Sequence, residues 1–265
     1  MKRLFVILLV LIMTVSCCAC GSKESPSGGK EPSSGAGSSG SAAPAGSSAS
    51  SGKGKDTDYV IDNVYFRTYP GTDGEHFQGS YRITNTGKTL LSLSAAFWEL
   101  KDSSGRSITS SAQLPGTFAY PQIISPGESS WYYINTLTER MTDGSAAVAS
   151  AEPVYQIPPH SYEENYLLNL PITDLRLDES SGGITAAGTV GNPGDHFVSY
   201  VLVYVNLFDK DGHLVGQLMS DALGIDAGGK TDFTAVSDTR KTSGELALTL
   251  SSVAHFEAVA INPAQ

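Results

Sequence analysis

The chain has 265 residues, of which 40% are hydrophobic and 17% charged, so part of it can bury a core and acidic disorder throughout is excluded. Lys and Arg number 17 against 27 Asp and Glu, a net charge of −10 with a pI of about 4.9. That balance excludes sequence-independent nucleic-acid binding, which rests on cations neutralising phosphates, and no nucleic-acid partner is expected.

At the start of the chain, Lys2 and Arg3 precede an unbroken apolar run from Leu4 to Met13. Thr14-Val15-Ser16-Cys17-Cys18-Ala19-Cys20-Gly21-Ser22 follows. A basic start, a short apolar stretch and small residues before a cut are the parts of an export signal. The run is too short for a transmembrane anchor, which takes about 20 residues to cross roughly 30 Å of hydrocarbon. All three cysteines of the protein sit directly behind it.

This arrangement resembles a bacterial lipoprotein signal, in which the cysteine after the cut receives a diacylglyceryl group and becomes the new N-terminus. The resemblance implies a signal peptide over 1–19 and lipidation at Cys20, which has Ala19 before it and Gly21-Ser22 after it. Cys17 stands at the third position upstream of Cys20, where the family prefers Leu, and is itself the alternative lipidation site. The implied location is the extracytoplasmic face of the cell membrane, with the lipid anchor as the contact to the membrane. Two or three acyl chains on one residue give stable attachment where one is marginal. No cysteine follows Cys20, which excludes a disulfide framework, thiolate metal sites and a cysteine nucleophile from the remainder. Without disulfides each folded unit must hold itself by its core, which favours units near 100 residues, on the order of the usual domain size.

Residues 20–55 read as the lipidated cysteine and a disordered tether. From 21 to 55 there are 12 Ser and 9 Gly, and no apolar side chain larger than Ala, so nothing offsets the entropy of ordering. Such a segment spans about 30–35 Å as a flexible coil.

From Asp56 onward the text becomes short alternating runs rich in Val, Ile, Thr, Tyr and Phe, broken by Gly, Pro and Asn, with hardly any helical period. Two copies of one plan are visible. Asn85-Thr86-Gly87 and Asn192-Pro193-Gly194 each close a strand. Thirteen residues after each asparagine come Trp98-Glu99-Leu100-Lys101-Asp102 and Val205-Asn206-Leu207-Phe208-Asp209, and twenty after each comes a glycine, Gly105 or Gly212. A later pair, Pro126-Gly127 leading to Trp131 and Gly228-Gly229 leading to Phe233, reads as a tight turn feeding an aromatic-led strand. Alternation points Trp98 and Leu100 to a core, places Asp102 at the strand end to accept turn N–H groups, and gives Gly105 and Gly212 the reversal. Partner strands are expected from Ile108 and Leu214. The expected fold is all-β: two tandem immunoglobulin-like β-sandwich domains, 56–157 and 158–265, after the signal peptide and linker. The boundary is set at Ile157-Pro158-Pro159, because proline lacks the ladder donor. The segment from Tyr162 to Leu170 is left open between one helical turn and an extended run.

Val205-Asn206-Leu207-Phe208-Asp209, preceded by a strand ending in Asn192-Pro193-Gly194, resembles the FxLYD-type domain of bacterial surface lipoproteins. That family's pattern is a Gly-x-Val-x-Asn strand, an aromatic-x-Leu-Tyr-Asp strand, then Pro-Gly and an aromatic strand. The second copy departs at Val205, Phe208 and Gly228-Gly229. The first keeps Trp98, Leu100, Asp102 and Pro126-Gly127 but has Lys101 in place of Tyr. The resemblance implies a β-sandwich in an exported setting and no chemistry.

Reactive constellations are not legible. The five histidines, His76, His160, His196, His213 and His255, show no metal-ligand spacing, and His255 with Glu257 reads as a surface pair. Asp209-Lys210-Asp211-Gly212 lacks the third oxygen ligand and the closing Glu of a calcium loop and reads as a turn. No nucleophile elbow or phosphate loop occurs. The expectation is a non-enzymatic binding or envelope-structural module with no cofactor, no metal and an envelope protein or glycan as partner. The alternative draws on an aromatic asymmetry: 14 of 23 aromatics lie in 56–157 and 8 in 158–265. On that alternative, Tyr69, Tyr120 and Tyr132 form a platform for a sugar ring or peptide; ordinary strand filling explains the same enrichment.

Overall fold

The computed structural model describes residues 50–53, 58–71, 73–94, 96–113, 119–155, 159–162, 168–180, 183–220, 224–237 and 248–262. The leader, Cys17, Cys20 and nearly all of the tether lie outside the described residues. Among the described residues the chain is all-β, with two single-turn 3₁₀ segments at Thr138–Arg140 and Leu250–Ser252 and no α-helix.

The first module contains β1 (Ser50–Lys53), β2 (Asp58–Pro70), β3 (Glu75–Asn85), β4 (Leu90–Ser92), β5 (Ala96–Lys101), β6 (Ile123–Ile124), β7 (Ser129–Leu137), β8 (Ser150–Tyr155) and β9 (His160–Tyr162). One layer is the antiparallel sheet β1-β2-β3-β7; the other is made of β6-β4-β9 and β5-β8. Alternation decides what lies between them. Phe77, Gly79, Tyr81 and Ile83 of β3 point inward, and Trp98 and Leu100 of β5 point back at them, as expected from the sequence. Trp98 packs edge-on against Phe77 and Tyr81, with ring centroids at 5.5 and 5.7 Å. Gly79 admits this closeness, because a Cβ there would stand 2.7 Å from the indole.

The second module contains β10 (Leu168–Leu170), β11 (Ile172–Ser180), β12 (Gly183–Gly191), β13 (Leu202–Phe208), β14 (Leu214–Ser220), β15 (Lys230–Ser237) and β16 (His255–Asn262). They form one antiparallel sheet in the order β10-β16-β13-β14-β15-β12-β11. The two end strands follow one another in sequence, parted only by Pro171, so the sheet curls until its edges nearly meet. Ile184, Ala186 and Val190 of β12, Val203, Val205 and Leu207 of β13, and Phe233 of β15 fill the interior. Both modules have β-sandwich character, the second built from a single sheet curled nearly into a barrel.

Two boundaries differ from expectation. Ser50–Lys53, inside the segment read as tether, pairs with Asp58–Ile61. Strand pairing needs only main-chain donors and acceptors, which Ser and Gly supply as well as Val. His160–Tyr162 pairs with β4, so the first module continues past 157: the ladder resumes directly after Pro159. Of the stretch from Tyr162 to Leu170, Leu168–Leu170 is extended and pairs with β16, while residues 163–167 lie outside the described residues. Where a strand is expected from Ile108, the described residues up to Gln113 form isolated bridges at Ser107 and Thr109, whereas Leu214 opens a full strand.

Candidate functional site

The two asparagines at the repeat's core do the same work. Asn85 donates from Nδ2 to the carbonyls of Thr89 (2.8 Å) and Ile124 (3.0 Å), and its Oδ1 accepts from Gly87 N–H (2.9 Å). Asn192 donates to His196 (2.8 Å), Ile225 (3.1 Å) and Asp226 (3.1 Å), and its Oδ1 accepts from Gly194 N–H (3.1 Å). Each ties the end of a strand to the turn that precedes the aromatic strand. Both are buried. The Asp-x-x-Gly turns also superimpose in function. Gly105 N–H donates to Asp102 O and Gly212 N–H to Asp209 O, with φ of 80° and 79° at the glycines. Asp102 Oδ1 accepts from the N–H groups of Ser104 and Arg106, as Asp209 Oδ1 does from Asp211 and His213. The Ser104 hydroxyl, first among several donors, holds the Asp102 carboxyl below its ordinary value. A third equivalence has no constant spacing: Asn63 (φ 50°) and Asp174 (φ 56°) each sit at a register break in the module's first long strand.

The outer face of the first sheet meets the second module. Tyr204, Phe208, Leu214 and Val215 are at most 4% exposed, yet they belong to neither module's interior. They are covered at a seam between modules. Tyr120 stacks on Tyr204 with centroids 3.8 Å apart, Trp131 meets Phe208 edge-on at 4.9 Å, and Tyr65 stacks on His213 at 4.5 Å. Polar bonds fix the register: Gln78 Nε2 donates to Val215 O (2.8 Å), Ser80 Oγ to Leu214 O (2.9 Å) and Asn63 Nδ2 to Gly212 O (2.8 Å). Gln78 and Ser80 are fully buried, so each of these bonds prevents an unsatisfied group in the seam.

At the rim of this seam lies an open groove of about 450 Å³, a size suited to a small ligand. Val215, Leu248 and Ala254 are its apolar lining, and Tyr65 and Arg67 line it beside them. The turn Asp209–Asp211 lines it as well. Tyr65 and Arg67 are two apart on β2 and therefore share the seam-side face. Burial raises the Tyr65 hydroxyl's pKa, with Arg67 opposing and Asp209 reinforcing the shift.

The three tyrosines expected to form a platform are not brought together. Tyr132 faces the first module's interior, 4% exposed, stacked on Tyr81 at 4.4 Å and donating its hydroxyl to Ser94 O. Tyr69 stands on the opposite face of the same sheet, stacked on His76 at 5.2 Å with its hydroxyl donating to Asn135 Oδ1. One face of Tyr120 is covered by Tyr204. Alternation along β7 separates Tyr132 from the other two, and the seam takes Tyr120.

Asp209, Asp211 and His213 bring ligand-type atoms within 4.8 Å of one another. Each already has a neighbour: Asp209 Oδ2 lies 3.2 Å from His213 Nδ1 and Asp211 pairs with Lys210 at 3.1 Å. Counting ligands for a calcium loop misses His213, which enters only because the turn folds back four residues. His255, read as a surface partner of Glu257, is 4.0 Å from it and also stacks on Phe208 at 4.4 Å. The groove pair Tyr65 and Arg67 was missed as well; its signal is the alternation Tyr65-Phe66-Arg67-Thr68-Tyr69, which puts three polar-tipped side chains on one face.

No protein-family model matches the chain, and no curated protein matches it.

Proposed function

We propose that this chain is an extracytoplasmic lipoprotein, acylated at Cys20 with Cys17 as the alternative, that holds a non-catalytic two-module β-body away from the membrane on a Ser/Gly tether. The body binds a partner of the envelope or shapes the envelope itself, in the manner of the FxLYD-type surface modules it resembles. The observation that carries this reading is the order of parts: Lys2-Arg3, the apolar run Leu4 to Met13, Ala19-Cys20, then the 35 residues 21–55 without an apolar side chain larger than Ala. The seam supports it from the other end. Linked modules normally move relative to one another unless their interface is large and apolar, and here four large side chains and three hydrogen bonds join them. A jointless body on a Ser/Gly-rich stalk suits presentation of a fixed surface.

Membrane fractionation with metabolic palmitate labelling tests the anchor. Cys20→Ser is expected to abolish labelling and move the protein into the medium, and Cys17→Ser does so if the alternative site is the one used. Retention of the double variant in the membrane fraction would overturn the lipoprotein reading.

A further inference from the structure

Two arginines share the seam-side face of the first sheet, and they are treated differently. Arg82 makes a two-bond pair with Asp62, Nε to Oδ1 at 2.7 Å and Nη2 to Oδ2 at 2.8 Å. Arg67 has no carboxylate partner among the described residues. It is nonetheless held in place: Nε donates to Gln78 Oε1 at 2.7 Å, and Cζ lies 5.5 Å from the centroid of the Tyr69 ring. Gln78 is itself fixed from the other module, since its Nε2 donates to Val215 O. The guanidinium is thus oriented through one nitrogen, while its two Nη groups have no hydrogen-bond partner among the described residues. The Tyr65 hydroxyl, which also belongs to the groove's lining, lacks one as well. The acidic groups of the lining are already engaged, Asp209 by its own turn and His213, Asp211 by Lys210.

A preset cation and a phenol hydroxyl without a partner among the described residues, two apart on one strand face and lining a groove with apolar residues, form an acceptor's complement. Arginine's planar fork matches a carboxylate, and a tyrosine hydroxyl adds a third donor. We infer that the seam groove binds a small molecule with one carboxylate and an apolar body, the carboxylate on Arg67 and Tyr65 and the body on Val215, Leu248 and Ala254. This deepens the reading of a binding module and rests on it, but it does not depend on the anchor. The protein's overall negative charge does not forbid it, because at physiological salt fields beyond about 8 Å are screened and the near charges decide. Holding the arginine in advance lowers the ordering cost of binding.

The test uses the full-length chain in detergent micelles, with calorimetry and ligand-observed magnetic resonance. N-acetyl-leucine is the probe, N-acetyl-leucinamide its uncharged counterpart and glucuronate a carboxylate without an apolar body. N-acetyl-leucine is expected to bind at least tenfold more tightly than either. Arg67→Gln should weaken it tenfold or more and Tyr65→Phe severalfold, both with unchanged circular dichroism. Tyr65→Phe removes a single oxygen and keeps the comparison valid if Arg67→Gln disturbs folding. Equal binding of acid and amide, no binding of the acid, or indifference to both substitutions would overturn the assignment. Glucuronate binding as tightly as N-acetyl-leucine would overturn the apolar half of it. None of these outcomes alters palmitate labelling, so failure of the groove and failure of the anchor are told apart.

Discussion

A buried phenol keeps its proton because the phenolate would lose its hydration, and the first module gathers several such groups. Tyr81 and Tyr155 meet hydroxyl to hydroxyl at 2.9 Å, and Tyr132 stacks on Tyr81. Burial, foremost, raises all three: Tyr81 and Tyr155 go well above the ordinary value, and Tyr132 is pushed up to about 12. In the unfolded chain a tyrosine ionises near pH 10, so above that pH the unfolded state releases protons that the native state retains. Stability is therefore complete below about pH 10 and falls as pH rises toward the native values, by up to ~1.4 kcal/mol per pH unit for each such tyrosine. Tyrosinate absorbance followed through an alkaline titration should show exposed tyrosines ionising first and the buried three ionising only as circular dichroism is lost. A single reversible step for all twelve tyrosines with the fold intact would contradict this.

At the scale of elements, each module is closed by one asparagine spanning a strand end and a distant turn. Asn192 satisfies three carbonyls around Ile225, and removing its amide leaves acceptors without donors in a buried place. Asn192→Ala should cost about 2–4 kcal/mol, on the scale of one to two unsatisfied buried groups, and Asn85→Ala a similar amount. Urea unfolding reads both directly; a cost below about 0.5 kcal/mol, the level of an ordinary surface change, would show that the turns hold without them. These asparagines were legible in the sequence because the spacing from Asn85 to Gly105 repeats from Asn192 to Gly212. Trp98 and Leu100 were legible for the same kind of reason, strand alternation. The register breaks at Asn63 and Asp174 were not, because a bulge adds residues without a composition of its own. The strand Ser50–Lys53 was hidden by side chains that say tether while the backbone is able to pair. Tyr132 shows the limit from the other side: aromatic enrichment gives a count, but which face a ring takes follows only from register with Tyr81.

For the whole molecule the decisive feature is the seam, and nothing short-range announces it. Phe208, Leu214 and Val215 look like any strand residues; their burial against Trp131, Ser80 and Gln78 joins positions 77, 134 and 137 residues apart. Apolar burial of each such side chain contributes about 1.5–3 kcal/mol, so four of them couple the modules strongly. The repeat therefore builds two copies of one plan, and the side chains in which the copies differ join them. Groove, seam and the Arg67–Gln78–Val215 relay are one construction, since the Gln78 side chain that accepts from Arg67 also donates to the second module.

Thermal unfolding followed by two probes tests this coupling. Of the protein's two tryptophans, Trp98 stands in the first module's interior and Trp131 at the seam against Phe208, so tryptophan emission follows the first module and its docking while far-ultraviolet circular dichroism follows both modules. The wild-type protein should give coincident curves with one midpoint, and Leu214→Asp, which places a carboxylate in the seam, should separate them. Two distinct midpoints in the wild-type protein, or coincident curves that survive Leu214→Asp, would contradict a body made of two modules fused into one.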